Sequence, residues 1–285
     1  MPEFIDDRGV VIVYDVYEPR AEPRGVVHLL HGVGDHAGRY AHVIDALTAA
    51  GFVVYADDHR GHGRTGMKQH GSAAKLGRLG SGGLRAALAA VDRMGRIIRT
   101  QRVGLPLILL GHSWGSFLAQ MLINDDPRSC EGLILTGSGL RVFGGLNAGD
   151  LNARWRGPGA NGMEWVSTDA EVSQGFVDDP LTSTEPLAKL FGPLDTLRLY
   201  GRPRKGLADD AGSDFPVLLM VGGDDPVGGP RSVHRLAKDY RERAGFHDVT
   251  TLVYPGARHE IFNDHSWPQS RADLIAWLER RYPAA

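Results

Sequence analysis

The feature that most constrains this chain is the pentapeptide GHSWG at residues 111–115, together with the segments on either side of it. An apolar run, Pro106–Leu110, precedes the pentapeptide, and a helix-like stretch at 115–125 follows it. A G-x-S-x-G pentapeptide between a strand and a helix is typical of a strained turn that exposes a serine hydroxyl at the end of a sheet. The small neighbours leave room for such a turn, so the sequence predicts that Ser113 is a nucleophile.

Short apolar runs alternate with longer amphipathic stretches along most of the chain, which is typical of a mostly parallel sheet flanked by helices. Most of these runs lack polar residues on alternate positions, as expected for strands that are buried on both faces. The predicted strands are Val26–Leu30, Phe52–Ala56, Pro106–Leu110, Gly132–Leu135, Pro216–Val221 and Val249–Tyr254, and Val10–Tyr17 is predicted as an N-terminal strand at the edge. The predicted helices are 38–50, 82–103, 115–125, 229–244 and 267–282.

One long segment, residues 141–211, breaks this alternation. It is rich in Gly, Pro, Asn and Asp but also contains many large apolar side chains. Roughly 70 residues without a strand are too many for a simple loop, so we expect a helical cap inserted into a core domain of residues 1–140 and 212–285. The apolar side chains of the cap are explained equally well by contact with a lipophilic substrate and by a small core of its own.

A serine hydroxyl reacts as a nucleophile only when a base accepts its proton. In proteins with this serine turn, an acid and then a histidine follow the serine along the chain. The predicted strand Pro216–Val221 leads into GGDDPVGG, which offers Asp224 and Asp225. The predicted strand Val249–Tyr254 leads into PGARHE, which contains His259. Nucleophile, acid and base thus follow three separate strands in the required order.

Acyl transfer also needs two hydrogen-bond donors for the oxyanion of the tetrahedral intermediate. One is expected to be the backbone N–H of Trp114, directly after the nucleophile, and the other should come from the loop after an early strand. The loop HGVGDHAGRY at residues 31–40 follows such a strand, and Gly32 and Gly34 allow its amides to turn inward. We predict Val33 as the second donor.

Six of the other histidines are predicted to have structural or surface positions. Two of them lie in the glycine-rich turn DDHRGHG, where Asp58 and Arg60 are expected to anchor a loop near the site. The sequence has no HExxH pattern, and we expect neither a metal nor an organic cofactor. These histidines are His59, His62, His112, His234, His247 and His265.

Composition excludes several other classes of protein. A formal net charge of −2 offers no basic stripe for nucleic acid. The single cysteine, Cys130, cannot form an intrachain disulfide and is predicted to be a small buried residue. The N-terminal sequence MPEFIDDRG lacks the apolar stretch of a signal peptide, and no apolar run is long enough for a membrane span, so we expect a cytoplasmic protein.

Five motifs together resemble the monoacylglycerol lipase and lysophospholipase group of α/β-hydrolases, also described as serine-aminopeptidase-like hydrolases. They are HGVGDHAGRY (31–40), ADDHRGHGRT (56–65), GHSWGS (111–116), VGGDDPVGG (221–229) and YPGARHEIFND (254–264). The resemblance implies an α/β-hydrolase fold with a cap that sets specificity. It also implies the following site: Ser113 as nucleophile, Asp225 as acid with Asp224 as the alternative, His259 as base, and the amides of Val33 and Trp114 as oxyanion hole. The group often has methionine where this chain has Trp114, which predicts a narrower site beside the nucleophile.

The resemblance further implies hydrolysis of a small lipophilic ester, most simply a monoacylglycerol. A lysophospholipase would use a cationic patch, for which Arg202, Arg204 and Lys205 are candidates, and a short-chain carboxylesterase is the third possibility. An aminopeptidase would need an acidic subsite, for which Glu164, Asp169 and Glu171 are the candidates.

Two further alternatives are a non-catalytic protein that binds a small ligand on a hydrolase fold and a cap that docks on lipid surfaces. The first is disfavoured because all three members of the catalytic set are present. For the second we expect weak contact at most, since the cap lacks a strongly basic amphipathic helix. The oligomeric state is left open.

Overall fold

One eight-stranded sheet forms the centre of the computed structural model, which describes residues 1–284. The strands are β1 Glu3–Ile5, β2 Val11–Tyr17, β3 Gly25–Leu30, β4 Phe52–Asp57, β5 Leu107–His112, β6 Gly132–Thr136, β7 Val217–Gly222 and β8 Val249–Tyr254. Their order across the sheet is β1-β2-β4-β3-β5-β6-β7-β8. The pairs β1–β2 and β2–β4 are antiparallel, and all other neighbours are parallel. The carboxyl ends of β3 to β8 therefore lie at one edge of the sheet, and the loops after these strands meet there.

Helices cover both faces of this sheet. They are α1 Ala41–Ala49, α2 Gly63–His70, α3 Gly83–Gln101, α4 Trp114–Asp125, α5 Ala170–Asp178, α6 Leu187–Arg198, α7 Ala208–Ala211, α8 Gly229–Asp239 and α9 Trp267–Arg281. Within residues 1–284, every helix is too short or too polar to cross a lipid bilayer.

The predicted parallel strands and the fold class are confirmed, but the position of the N-terminal strand was predicted wrongly. The predicted strand Val10–Tyr17 forms as β2, yet it is second from the edge because β1 pairs with its outer side, with Glu3 opposite Val13. Between them the carboxylate of Asp6 accepts hydrogen bonds from the backbone N–H groups of Arg8 and Val10 and so closes a tight turn. A strand of three residues is too short to give a periodic pattern, so the sequence did not reveal it.

The two faces of each central strand contribute to two different cores. In β5, Leu107 and Leu109 pack with helices α3, α4 and α8, whereas Ile108 and Leu110 pack with helices α1 and α9. All four side chains are at most 3% exposed. Full burial of such a side chain stabilises the fold by roughly 1.5–3 kcal/mol. The strand ends that hold the site therefore belong to a rigid framework.

The segment between β6 and β7 consists of short 3₁₀ turns and helices α5, α6 and α7. Met163, Val166 and Phe176 form a small cluster of their own within it, and Phe191 joins the main core. Residues 141–211 of this segment are called the insertion below. These limits, and the division of the chain into two domains, stay predictions from the sequence.

Candidate active site

Ser113 lies in the turn between β5 and α4. Among the described residues it is the one non-glycine residue with a positive φ, at φ 51° and ψ −122°. Such a conformation costs of order 1–3 kcal/mol and persists only where the surroundings enforce it. The flanking glycines are required by space: a Cβ on Gly115 would lie 2.2 Å from the carbonyl oxygen of Leu30, and one on Gly111 would lie 2.7 Å from that of Gly115.

Hydrogen bonds from neighbouring elements hold this turn. The backbone N–H of Ser113 donates to the carbonyl of Thr136 at the end of β6, at 2.9 Å. The hydroxyl of Ser116 donates to the carbonyl of Ser113 and also contacts the hydroxyl of Ser138. Because Trp114 is the first residue of α4, its N–H has no acceptor one turn earlier in the helix, and the positive end of the helix dipole lies beside Ser113.

His259 and Asp225 form a buried pair in the loops after β8 and β7. The distance from His259 Nδ1 to Asp225 Oδ1 is 3.0 Å, and the backbone N–H of Val227 donates to the same oxygen at 2.8 Å. Since a carboxylate accepts, Nδ1 bears the ring proton and Nε2 is free to accept one. His259 Nε2 is buried and has no hydrogen-bond partner among the described atoms, so Ser113 and His259 are not hydrogen-bonded in this structure. Such contacts often tighten only when substrate binds.

The structure separates the two adjacent aspartates that the sequence offered as acid. The side chain of Asp225 is fully buried against His259, whereas that of Asp224 is 42% exposed and accepts a hydrogen bond from Arg154 at 3.0 Å. Only Asp225 therefore contacts the candidate base.

Two aromatic rings pack on His259. The ring centroid of His112 lies 4.7 Å from that of His259, and the ring centroid of Trp165 lies 4.9 Å from it. His112 Nδ1 is 2.9 Å from the hydroxyl of Thr136. Burial, and then the neighbouring His259, lowers the pKa of His112 to about 3, so this ring is neutral near pH 7. His112 thus packs against the candidate base, and its low pKa makes it a poorer proton acceptor than an ordinary histidine.

The loop at residues 31–40 lies directly beside Ser113. A Cβ on Gly32 would lie 3.3 Å from the Cβ of Ser113. Gly34 has φ +70°, a Cβ there would lie 2.2 Å from the carbonyl oxygen of Ser183, and its own carbonyl accepts from the N–H of Ser183 at 2.8 Å. The half-buried Val33 lies between these two glycines. The structure thus brings both predicted oxyanion donors, Val33 and Trp114, to the vicinity of the nucleophile.

A buried ionic cluster, which the sequence did not predict, joins this loop to the loop of His259. Arg39 donates two hydrogen bonds of 2.8 Å to the carboxylate of Glu260 and one of 3.2 Å to Asp35. The hydroxyl of Tyr40 donates to the second oxygen of Asp35 at 2.8 Å. Burial alone would raise the pKa of Glu260, but the charge and hydrogen bonds of Arg39 outweigh it and lower that pKa to about 2.

A second buried cluster joins strand β3 to the end of β4 and to the loop after it. His28 Nε2 and His59 Nδ1 each lie 2.8 Å from the carboxylate of Asp57. Burial would raise the pKa of Asp57, but these two imidazoles lower it well below its ordinary value. Burial lowers the pKa of His62 to about 4. Among the described residues, no group of three His, Cys, Asp or Glu side chains has the arrangement of a metal site.

The indole of Trp114 is fully buried rather than exposed to the site. Its ring stacks on His62 with centroids 5.0 Å apart and meets Phe191 of the insertion edge-on at 5.1 Å. The side chain that follows the nucleophile therefore fills space between the sheet-edge loops and the insertion.

Four of the six charged residues proposed for other substrates have local partners. Arg202 pairs with Asp239 and Arg204 with Asp210, both near Asn124 at the far end of α4 from Ser113. The carboxylate of Glu164 accepts from the backbone N–H of Asn161, and that of Asp169 caps α5. Cys130 is buried as predicted, and burial raises the pKa of its thiol to about 12.

Comparisons with known proteins identify the family and the fold of this chain. The family model described as serine aminopeptidase, S33, matches residues 21–266. A monoacylglycerol lipase of Mycolicibacterium smegmatis is 32% identical over 278 residues, which cover 95% of this chain and 93% of that protein. Human monoglyceride lipase is 25% identical over 277 residues, which cover 93% of this chain and 84% of the human protein.

Among solved structures, a thermostable carboxyl esterase from Bacillus coagulans, in complex with glycerol, superposes with a TM-score of 0.83 at 26% identity, over 98% of this chain and 97% of the esterase. The family model spans most of the chain, and the fold matches that of the esterase throughout. The predicted resemblance is confirmed: this chain belongs to the serine aminopeptidase (S33) family and has the α/β-hydrolase fold.

Proposed function

We propose that this protein is a serine hydrolase that cleaves carboxylic esters of lipophilic acyl chains, with monoacylglycerols as its substrate class. The observation that carries the proposal is the strained Ser113 together with the buried pair of His259 and Asp225. The ring of His259 packs on that of His112, the residue before Ser113. The lipase and esterase names of the relatives and of the similar solved structure support the same class of reaction.

In the proposed mechanism, Ser113 Oγ attacks the ester carbonyl while His259 Nε2 accepts its proton. The amides of Val33 and Trp114 stabilise the oxyanion, and His259 then donates the proton to the leaving alcohol. Water, activated by the same imidazole, releases the acid from the acyl enzyme. Asp225 holds the ring in the tautomer with Nδ1 protonated and stabilises the imidazolium.

The surroundings favour charge development at the right atoms. The N-terminus of α4 places the positive end of a helix dipole beside the oxyanion. His112, which is neutral near pH 7, lies next to His259 and adds no positive charge against the imidazolium. Removing one oxyanion donor in sites of this kind slows turnover by about 10²–10³-fold.

The alternatives differ in the charged subsite that they require. A lysophospholipase has less support, because Arg202 and Arg204 are paired with carboxylates remote from Ser113. An aminopeptidase has less support as well, because Glu164 and Asp169 bind local backbone amides. A short-chain carboxylesterase is the second candidate, since the similar Bacillus coagulans protein is named a carboxyl esterase. The cytoplasmic location and the weak contact with lipid surfaces stay predictions from the sequence.

Hydrolysis of p-nitrophenyl esters from acetate to palmitate, and of monoacylglycerols, tests the proposal with wild type and Ser113→Ala. Ser213→Ala, which changes an exposed serine, is the matched control. We expect the greatest kcat/KM on medium or long chains, loss of activity in Ser113→Ala only, and fluorophosphonate labelling of Ser113. Activity confined to acetate would favour the short-chain esterase. A wild type that hydrolyses none of the esters and resists labelling would overturn the hydrolase proposal.

A further inference from the structure

We propose that His31 is a positioning residue for the oxyanion hole: its neutral imidazole fixes the direction in which the N–H of Val33 points. This inference rests on the proposed function. The family motif identifies the backbone donor, but the contacts of this side chain explain how the donor is held.

Both ring nitrogens of His31 bond to backbone groups. Nδ1 lies 2.7 Å from the carbonyl oxygen of Gly32, and Nε2 lies 2.9 Å from the backbone nitrogen of His59. A carbonyl can only accept, so Nδ1 donates; an N–H can only donate, so Nε2 accepts. The two partners therefore allow one tautomer only, with the proton on Nδ1, and they exclude the imidazolium.

The acceptor of this bond is the peptide that contains the proposed donor. The carbonyl of Gly32 and the N–H of Val33 belong to one planar trans peptide, in which they point in opposite directions. A hydrogen bond that fixes the carbonyl on the side of His31 therefore fixes the N–H on the opposite side. Gly32 itself lies against the nucleophile, since a Cβ there would be 3.3 Å from the Cβ of Ser113.

His31 is in turn held by the loop after β4. Its ring is fully buried and stacks on His59 with centroids 4.1 Å apart, and His59 is anchored on Asp57. The carboxylate of Asp58 also accepts from the N–H of Ala37, further along the same oxyanion loop. Burial, and then the neighbouring His59 and His62, hold the pKa of His31 well below its ordinary value, so the required neutral form persists near pH 7. The contact of Asp58 with Ala37 agrees with the predicted anchoring of a loop by this turn, whereas Arg60 donates to the carbonyls of Leu79 and Ser81 and not to the loop at residues 31–40.

Three substitutions separate the two hydrogen bonds. His31→Asn places an amide N–H near the position of Nδ1 and retains the donor to Gly32. His31→Gln places its amide near the position of Nε2, retains the acceptor for His59 and loses the donor. His31→Phe retains the ring and its stacking but removes both bonds. His234→Phe, at an exposed histidine, is the matched control.

The experiment measures kcat and KM on the ester that wild type cleaves best, and Ki for a trifluoromethyl ketone, which forms a tetrahedral adduct with the serine. For His31→Phe we expect kcat to fall by about 10²-fold with KM little changed, because the misplaced donor acts on the transition state. The Ki of the ketone should rise in proportion to the loss of kcat/KM. His31→Asn should recover much of the activity and His31→Gln should not, and His234→Phe should match wild type.

The outcomes are distinguishable. If folded His31→Phe retains the kcat and the ketone Ki of wild type, the inference is overturned while the hydrolase proposal stands. Equal activity of His31→Asn and His31→Gln would also overturn it, and this comparison decides the matter where His31→Phe does not fold. A wild type without esterase activity would overturn the proposed function, and this inference with it.

Discussion

The loops at the carboxyl edge of the sheet and the insertion both surround Ser113, but they are held in different ways. The edge loops are fixed by buried charged and polar groups, as in the pair of Arg39 and Glu260 and in the contact of His31 with Gly32. The insertion combines one firmly bonded stretch with a helix whose outer face is apolar and exposed. We propose from this difference that the edge loops hold the reacting groups in place and that the insertion covers them.

The bonded stretch of the insertion is short and lies on the loop of the candidate base. Arg258 donates to the carbonyls of Glu164 and Ser167 at 2.6 and 2.8 Å, and the N–H of Glu260 donates to the carbonyl of Val166 at 2.7 Å. The N–H of Thr168 donates to a carboxylate in the same loop. This stretch therefore belongs mechanically to the edge of the sheet.

Helix α6 is the part of the insertion that has an exposed apolar face. Asp195 accepts from the first turn of α3 at 3.0 Å, yet Leu194 and Leu197 beside it are 68% and 67% exposed. The helix also bends at Gly192, where φ is +75°. Catalytic geometry set by rigid elements and access set by a less constrained covering segment is a common division of roles in enzymes.

The sharpest test of the edge loops is a pair of substitutions at adjacent aspartates. Asp225→Asn should lower kcat by about 10⁴-fold, because the amide favours the wrong tautomer of His259. Asp224→Asn should leave kcat near that of wild type, since its side chain meets only Arg154 at the surface. Steady-state kinetics on one ester measures both. Equal losses in the two variants would mean that the pairing of His259 with Asp225 does not define the site.

The buried pair of Arg39 and Glu260 should make stability depend on pH. The pKa of Glu260 is lowered from its ordinary value of 4.5 to about 2. The carboxylate therefore contributes fully to the free energy of unfolding above pH 4.5, and this contribution is lost as the pH falls through about 2. A shift of this size corresponds to about 3 kcal/mol. Glu260→Gln should therefore be less stable than wild type by about this amount at pH 7, and the difference should shrink between pH 4.5 and pH 2.

Urea unfolding at several pH values measures this difference. The control is Glu185→Gln, whose carboxylate is 45% exposed and pairs with Lys189 on the insertion. The control should cost less than about 1 kcal/mol at any pH, because exposed ion pairs contribute little. A cost of Glu260→Gln that does not change with pH would contradict the assigned role of the charge.

Gly34 tests the junction between the two regions. Gly34→Ala combines an unfavourable positive φ with a contact of 2.2 Å between the new Cβ and the carbonyl of Ser183. Gly71→Ala has a similar φ of +64° but no atom within 4 Å of the new Cβ, so it measures the cost of the backbone conformation alone. We expect Gly71→Ala to cost about 1–2 kcal/mol and Gly34→Ala about 2 kcal/mol more. Thermal unfolding compares the stability of the two variants. Equal losses of stability would show that Ser183 of the insertion moves away from the new Cβ at no measurable cost.

The residues at the ends of the parallel strands were the part of the candidate site that could be predicted from the sequence. The candidate residues Ser113, Asp225 and His259 could be proposed from the sequence because each lies in the segment that follows a strand of the parallel sheet, and parallel strands end at one edge. The elbow glycines were predictable for the same reason, since a strand that turns sharply into a helix leaves no room for a Cβ.

The residues that hold these groups could not be predicted. Arg39 and Glu260 are 221 positions apart, and only the folded loops bring them together. Helix α2 was not predicted because Gly63 and Gly66 lower the helix propensity of this stretch. Tertiary packing requires the glycine at position 66, since a Cβ there would lie 2.4 Å from the carbonyl oxygen of Gly61. Contacts between loops depend on tertiary structure, which leaves no periodic signal in the sequence.

The smallest expected effect concerns the exposed leucines of α6. The double substitution Leu194→Ser and Leu197→Ser should change the free energy of unfolding by less than about 1 kcal/mol, because these side chains have little packing to lose. Leu109→Ala, in the core, should cost about 2–5 kcal/mol. Hydrolysis of p-nitrophenyl acetate should be the same in the double variant and in wild type. If the double variant instead loses as much stability as Leu109→Ala, the leucines are packed in solution and the insertion is held like the edge loops.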